Sequence, residues 1–301
     1  MNKYHKEIVS HPEFYIVKFV KNSEMPYLLF IHGGPGFNCG TVEYLIEHNN
    51  LFDILDYNII LYDQRNCGRS KKNSGSVLHQ DNVDDLQNIV QYLTNSTQLE
   101  IVGLIGHSYG AKLLFDYYNT SHSTISGIFV STANSILTPR LNNLVLDLAY
   151  LKKTNPEQYN ETLQEMDELD LNKIWVISEK LTPIFQENKD RPYLYWANLA
   201  CYETVKKIQN KINQPTDIDT FVSIRKDLYS NKLNFSVDIN SLTIPTLWIN
   251  GFHDFVMNGQ EDVLSNNSTI TTFYKSSHYP HIEENGRFSK LINEFIKDSR
   301  N

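Results

Sequence analysis

Short apolar runs alternate with amphipathic stretches along most of this chain. The runs at 14–20, 27–31, 58–62, 101–105, 125–131, 246–250 and 270–274 have the length and the Ile, Val, Leu, Phe and Tyr content of strands. Between them, residues 82–94, 111–118 and 286–298 have helical patterning, with apolar side chains on one face. Strands that alternate with helices predict an α/β fold with a mostly parallel sheet covered on both faces.

The strand–helix alternation stops near Ser135 and returns near Ile244. In between, residues 144–151, 156–169 and 193–212 have helical patterning, and the chain is richer in Tyr, Asn, Lys and Glu. We therefore predict an α/β core formed by residues 1–134 and 236–301, interrupted by a mostly helical cap at residues 135–235. A length of 301 residues accommodates one such domain with a large insertion.

Composition limits the classes of function. The net charge is −8, which disfavours binding to nucleic acid or to an anionic membrane, because both call for a basic face. The three cysteines are far apart and form no CxxC pair, which favours reduced thiols over disulfides or a zinc site. The sequence shows neither a signal peptide nor an apolar run of about 18 residues. We expect a soluble cytoplasmic protein, with a monomer as the default.

The pentapeptide Gly106-His107-Ser108-Tyr109-Gly110 follows an apolar run and precedes a helical stretch. A sharp strand-to-helix turn needs small residues at its flanks, and it lifts the central serine clear of the sheet. This context predicts Ser108 as a catalytic nucleophile, with the backbone amide of Tyr109 pointing toward the oxyanion. An ordinary glycine turn is the alternative, since GxSxG is also common by chance.

A second glycine-rich segment, His32-Gly33-Gly34-Pro35-Gly36, directly follows the run at 27–31. Three glycines and a proline make a tight turn, and such a turn can present a backbone amide to an oxyanion. We predict that the amide of Gly34 is the second oxyanion donor. A simple structural turn is the alternative.

An aspartate and a histidine follow the last two predicted strands. Asp254 comes after the run at 246–250, and His278 comes after the run at 270–274. A serine hydroxyl needs a neutral imidazole as base, and a buried carboxylate fixes the imidazole tautomer, so the order Ser, Asp, His predicts a catalytic triad. His281 competes with His278 for the base role, and we favour His278 for its distance from the strand end.

Other polar residues near these motifs are assigned structural roles. His107 is expected to pack inside the turn around the nucleophile, and His253 to lie on a surface loop. Asp63, at a strand end, is expected to hold loops through ion pairs and hydrogen bonds with Arg65 and Arg69.

Three motifs together resemble a known family. HGGPG at 32–36, DQRxxGxS at 63–70 and GxSxG at 106–110 are similar, in this order, to those of the proline iminopeptidases, peptidase family S33 of the α/β-hydrolases. The resemblance covers the whole chain and implies the α/β-hydrolase fold and release of N-terminal proline from a small peptide. It also implies a triad of Ser108, Asp254 and His278, and an oxyanion hole formed by the amides of Gly34 and Tyr109.

The resemblance also implies roles in the cap, where these enzymes carry acidic residues that bind the free α-amino group of the substrate. Residues 195–203 are similar to the family's aromatic-plus-glutamate helix, which implies Glu203 and Trp196 as substrate-binding residues. A carboxylate pairs well with a cationic amine in a closed pocket, whereas a solvated helix face is the alternative for Glu203. Asp217 and Asp219 are candidates for a second acid by rough position.

Two enzyme classes and one binding class stay open. The first is an aminopeptidase, and the second is a carboxylesterase, amidase or lactonase that acts on a small neutral acyl substrate. A non-enzymatic hydrolase-like binding protein is disfavoured because the three triad residue types occur in order. No HExxH motif or cluster of metal ligands occurs in the sequence, and the predicted chemistry needs neither a metal nor a cofactor.

Overall fold

One sheet organises the part of the chain that the computed structural model describes, which is residues 4–132, 137–166, 176–177, 180–181, 192–230, 241–256 and 268–300. Its strands are β1 (His5–Val9), β2 (Ile16–Val20), β3 (Tyr27–Ile31), β4 (Asn58–Tyr62), β5 (Ile101–His107), β6 (Ser126–Val130), β7 (Thr246–Gly251) and β8 (Ser268–Phe273). The spatial order is β1-β2-β4-β3-β5-β6-β7-β8. Strand β2 pairs antiparallel with both β1 and β4, and all other neighbouring strands are parallel. This mostly parallel sheet confirms the predicted fold class.

The sequence pattern did not predict β1. Its sequence is HKEIV, and only Val9 is buried, so the strand lacks the apolar content that marks the inner strands. Strands β3, β4 and β6 are buried along their whole length, because neighbours and helices cover them on all sides. A polar composition suits β1, since it lies at the edge of the sheet.

Helices cover both faces of the sheet. One apolar cluster includes side chains of α1 (Gly40–His48) and of the C-terminal helix, and the other includes side chains of α2 (His79–Gln91) and α3 (Tyr109–Thr120). In α2, the buried residues Val83, Leu86 and Val90 repeat at helical spacing and pack on the sheet. These two layers fix the strand ends that carry the predicted site residues. Helix α1 was not predicted.

The described elements between β6 and β7 are helices. They are α4 (Leu137–Thr154), α5 (Pro156–Glu165), α6 (Pro192–Tyr195), α7 (Leu199–Ile212) and α8 (Ile218–Ser230). After β8 come α9 (Pro280–Glu283) and α10 (Asn285–Ser299). The predicted boundaries of the cap near 135 and 235 fall outside the described residues. Within the described ranges, no helix is long and apolar enough to cross a membrane.

The predicted helix at 193–212 is two helices. The side chain of Asn198 accepts hydrogen bonds from the amides of Ala200 (3.0 Å) and Cys201 (3.3 Å), so a new helix begins there. The sequence pattern also missed α8. The end of the predicted helix at 156–169 lies outside the described residues after Met166.

Candidate active site

Ser108 lies at a sharp turn between β5 and α3. Its backbone has φ 54° and ψ −118°, a conformation that costs energy for any residue with a side chain. A Cβ atom on Gly110 would overlap the carbonyl oxygen of Ile31, and one on Gly106 would lie 2.5 Å from the carbonyl oxygen of Gly110. Glycine is therefore required at both flanks. The Ser108 side chain is partly exposed, as a nucleophile that meets a substrate must be.

The structure brings His278 and Asp254 together at the carboxyl ends of β7 and β8. His278 Nδ1 lies 3.0 Å from Asp254 Oδ2, and both side chains are buried. A carboxylate on Nδ1 holds the proton there and leaves Nε2 free to act as a base. The ring of His281, the alternative base, also lies near His107, at 4.7 Å, and its other ring neighbours are Phe30, Tyr279 and Phe288.

His107 connects the turn around Ser108 to the loop of His278. His107 Nε2 donates a hydrogen bond to the carbonyl oxygen of His278 (2.8 Å), and the two rings lie 5.0 Å apart. Burial, followed by the nearby His281 and His278, holds the pKa of His107 well below its usual value, so the ring is neutral. Its other ring nitrogen faces Gly33. His107 therefore packs inside the turn and ties the two loops together.

The HGGPG loop lies against Ser108. A Cβ atom on Gly33 would lie 3.1 Å from Ser108 Cβ, so this segment passes directly beside Ser108. His32 donates from Nδ1 to the carbonyl oxygen of Gly33 (2.8 Å) and accepts at Nε2 from the amide of Gln64 (3.1 Å). Burial lowers the pKa of His32, which keeps the ring neutral and able to play both parts. One nitrogen of the His32 ring thus bonds to the loop that carries Gly34, and the other bonds to the segment of Gln64, which holds the loop in place.

Asp63 bonds to two loops, as predicted, but its arginine partner is Arg69, and the expected contact with Arg65 is not formed. Its carboxylate is fully buried and accepts hydrogen bonds from the amide of Cys39 (2.8 Å) and from the amide and Nε of Arg69 (2.9 and 3.1 Å). Burial raises the pKa of Asp63, but the charge of Arg69 and these hydrogen bonds outweigh it, so the pKa is lowered. Arg65 pairs separately with Asp85 through two hydrogen bonds of 2.7 and 2.6 Å.

The helical segment between β6 and β7 contacts the loop that carries His278. The His278 amide donates to the carbonyl oxygen of Tyr195 (3.1 Å), and the Tyr195 ring meets the His278 ring edge to face at 5.5 Å. Trp196 stacks on Tyr279 at 4.2 Å and is itself buried. Trp196 therefore packs against the loop of His278, and its ring is largely covered.

Glu283 strengthens the same contact, and the sequence reasoning gave it no role. Its carboxylate accepts from the amide of Asn198 in the cap (2.7 Å) and from the amide of Ser277 (2.7 Å). Burial raises the pKa of Glu283, and the backbone hydrogen bonds oppose this rise. No local motif marks such a residue, because one of its two partners, Asn198, lies 85 residues away in the sequence.

The acidic residues expected to bind an amine have other surroundings. The Glu203 side chain is exposed, although its neighbours on α7, Val205 and Ile208, are buried. Asp217 forms an ion pair with Lys72 (2.6 Å) and accepts from the amide of Thr220 (2.9 Å). Asp219 is exposed. The closed carboxylate pocket that the sequence suggested is therefore not formed by these three side chains as they stand.

Comparison with known proteins identifies the family. The alpha/beta hydrolase fold family matches residues 26–285, which is most of the chain. The chain belongs to this family. A proline iminopeptidase from Saccharolobus solfataricus is 27% identical over 97% of this chain and 91% of its own length. A proline iminopeptidase from Heyndrickxia coagulans is 23% identical over 93% of each chain.

Solved structures of other alpha/beta hydrolases share the fold. A proline iminopeptidase-related protein from Thermus thermophilus aligns with a TM-score of 0.65 over 98% of both chains at 16% identity. An esterase from Exiguobacterium antarcticum aligns with a TM-score of 0.62 over 99% of this chain and all of its own, at 17% identity. The protein is a proline iminopeptidase-like alpha/beta hydrolase, and one fold accommodates both kinds of neighbour.

Proposed function

We propose that this hydrolase works through a covalent acyl-enzyme on Ser108, with His278 as base and Asp254 as its partner. The observation that carries the proposal is the buried contact of 3.0 Å between His278 and Asp254, at the same edge of the sheet as the strained turn of Ser108. In that arrangement a neutral imidazole takes the serine proton, and the carboxylate stabilises the imidazolium that forms.

The reaction follows in two halves. Ser108 Oγ attacks the substrate carbonyl while His278 Nε2 takes its proton, and the amides of Gly34 and Tyr109 bind the developing oxyanion. The protonated His278 then gives its proton to the leaving amine or alcohol. Water attacks the acyl-enzyme with His278 again as base, which releases the acid and restores Ser108.

For the substrate, we propose an N-terminal proline or a similar residue of a short peptide. The support is the similarity to two proline iminopeptidases along nearly the whole chain, together with the HGGPG and DQRxxGxS motifs. The second candidate is a carboxylesterase, amidase or lactonase with a small neutral substrate. The exposure of Glu203 favours this candidate, since an exposed carboxylate binds an amine only weakly.

Replacement of the nucleophile tests the mechanism. Ser108→Ala should lower kcat by about 10⁴- to 10⁶-fold on any accepted substrate, because the residual activity comes from binding and the oxyanion hole alone. Kinetics on p-nitrophenyl acetate and prolyl p-nitroanilide measure this loss, and circular dichroism checks the fold. Ser121→Ala, at the C-terminal end of the same helix, is the matched control and should keep full activity. Full activity of Ser108→Ala would exclude the mechanism.

A panel of substrates tests the specificity. Prolyl, alanyl and leucyl p-nitroanilides are compared with short-chain p-nitrophenyl esters by kcat/KM, and a preference for the prolyl amide supports the aminopeptidase. Glu203→Gln should change KM for the prolyl amide by less than about fivefold, because an exposed ion pair contributes at most about 1 kcal/mol. A much larger rise in KM, seen for the amide and not for the ester, would mean that Glu203 closes onto the substrate.

A further inference from the structure

A buried network of hydrogen bonds holds the side chain of Tyr109, the residue that follows Ser108. Tyr109 is the first residue of α3, and its hydroxyl lies 3.0 Å from His79 Nδ1 and 3.1 Å from Asn82 Nδ2. His79 Nε2 in turn lies 2.7 Å from Asp116 Oδ2. Tyr109, His79 and Asn82 are all buried, so these hydrogen bonds are shielded from water.

The donors and acceptors of this network have one consistent direction. Burial raises the pKa of Tyr109, so its hydroxyl keeps its proton. The Asp116 carboxylate accepts from His79 Nε2, and the tautomer that carries its proton on Nε2 has Nδ1 as the acceptor for the Tyr109 hydroxyl. The Tyr109 oxygen then accepts from the amide group of Asn82. The Tyr109 hydroxyl therefore has a hydrogen-bond partner on each of two sides, which fixes the position of the phenol ring.

The carboxylate at the end of the network is held in its ionised form. Burial raises the pKa of Asp116, but the hydrogen bond from His79 and the charge of Lys112 outweigh it, so the pKa is lowered. Lys112 Nζ lies 2.7 Å from Asp116 Oδ1. Lys112 and Asp116 both belong to α3, the helix that Tyr109 begins.

We propose that His79 and Asp116 are positioning residues that act through the Tyr109 hydroxyl to fix the Tyr109 backbone amide as an oxyanion donor. This inference rests on the proposed hydrolase mechanism. The amide belongs to the first turn of a helix, where amides have no acceptor within the helix and can bind an anion. An oxyanion donor must be fixed before the reaction, because its contribution depends on being in place where the charge develops.

The cap covers the same residue. The Tyr109 ring packs with Val77 and with Ile224 and Leu228 of α8. The amide of His79 donates to Asp227 of the same cap helix (2.8 Å). The ring of Tyr109 is therefore held by packing against the cap and by hydrogen bonds from the core, and a variant that removes only the hydroxyl separates the two.

Tyr109→Phe is the central test, with p-nitrophenyl acetate as the probe. It keeps the ring and removes the hydrogen bonds to His79 and Asn82. We expect kcat to fall about tenfold with KM within twofold, since the oxyanion contact is made only in the transition state. Inhibition by phenylboronic acid, which forms a tetrahedral adduct on the serine, should weaken in proportion to kcat.

Tyr118→Phe is the matched control. Tyr118 lies on the same helix, is buried, and donates to the carbonyl oxygen of Ile125 (2.9 Å) far from the nucleophile. Both variants lose a buried tyrosine hydroxyl, so both should lose stability. Only Tyr109→Phe should lose kcat. Equal kcat values for the two variants, or a kcat of Tyr109→Phe within twofold of the unchanged protein, would overturn the proposal.

A double-mutant cycle tests the role of His79. His79→Ala should lower kcat about as much as Tyr109→Phe, and the double variant should be no worse than Tyr109→Phe alone, because both changes break the contact between His79 and the Tyr109 hydroxyl. His79→Asn, whose amide oxygen can accept near the position of Nδ1, should recover part of the loss. Additive losses of kcat in the double variant, or no recovery of kcat in His79→Asn, would contradict the proposed path from Asp116 through His79 to Tyr109. If Ser108→Ala keeps its activity, the hydrolase mechanism itself fails, which is a separate result.

Discussion

Within the described residues, the protein holds two histidine–aspartate pairs, one through Nδ1 of His278 and the other through Nε2 of His79. His278 and Asp254 lie 3.0 Å apart at the ends of β7 and β8, and His79 and Asp116 lie 2.7 Å apart between α2 and α3. Both histidine side chains are 4% exposed. The aspartates differ, because Asp254 is 3% exposed and Asp116 is 23% exposed and shared with Lys112.

The group that faces the second ring nitrogen of each histidine leads us to expect different roles for the two pairs. In the His79 pair, the second ring nitrogen is occupied by the Tyr109 hydroxyl, so the histidine has no free position for a substrate proton. In the His278 pair, Asp254 takes Nδ1, and the ring lies beside the turn that presents Ser108. A histidine–aspartate contact is thus not enough to identify a base. The group that faces the other nitrogen decides it.

The largest expected difference between the pairs is in catalysis. Asp254→Asn should lower kcat by about 10⁴-fold, because an asparagine favours the wrong tautomer of His278. Asp116→Asn should lower kcat by no more than about tenfold, since it acts only through Tyr109. Steady-state kinetics on p-nitrophenyl acetate compares the two variants, and urea unfolding monitors stability. Similar losses of kcat in both would remove the distinction between a catalytic and a positioning pair.

The contact between His278 and Asp254 could be predicted from the sequence, and the contact between His79 and Asp116 could not. Parallel strands deliver the residues after their carboxyl ends to one edge of the sheet, so the positions of Asp254 and His278 after the last two predicted strands indicated that they would meet. His79 and Asp116 lie 37 residues apart on two helices. Their contact depends on how α2 packs on α3, and no local pattern encodes that packing.

The cap shows the same limit for longer elements. Helical periodicity indicated a helix at 193–212, but the break at Asn198 depends on a side chain that caps α7, and α8 was missed. Glu203 was assigned by resemblance, and its exposure follows from which face of α7 packs on α1. The sequence thus predicts which helix a residue belongs to more readily than it predicts whether that residue faces a site formed by several elements.

A buried histidine outside the two pairs gives the next test, through pH. Burial, with help from the nearby His278, lowers the pKa of His281 to about 3. The unfolded chain binds a proton on this residue near pH 6.5, so stability is complete above about pH 6.5 and falls as the pH drops toward 3. Between pH 7 and pH 5 this single group should remove about 2 kcal/mol of unfolding free energy.

Urea unfolding of His281→Phe measures this contribution. The variant keeps an aromatic ring between Phe30 and Phe288 and has no group to protonate, so its loss of stability between pH 7 and pH 5 should be smaller by about 2 kcal/mol. His122→Phe, at an exposed histidine, should leave the pH dependence as it is. An unchanged pH dependence in His281→Phe would show that His281 does not differ in this way from a histidine at the surface.

The smallest effect should come from Lys112, which contacts Asp116 at Oδ1, whereas His79 contacts Oδ2. Lys112→Met keeps the aliphatic part of the side chain and removes the charge 2.7 Å from Asp116. We expect kcat to stay within twofold and the unfolding free energy to fall by at most about 1 kcal/mol. If Lys112→Met instead lowered kcat as much as Asp116→Asn, the charge of Lys112 on α3 would control the oxyanion donor. The hydrogen bonds through His79 would then have no effect on kcat, and the difference in kcat between the two histidine–aspartate pairs would need another explanation.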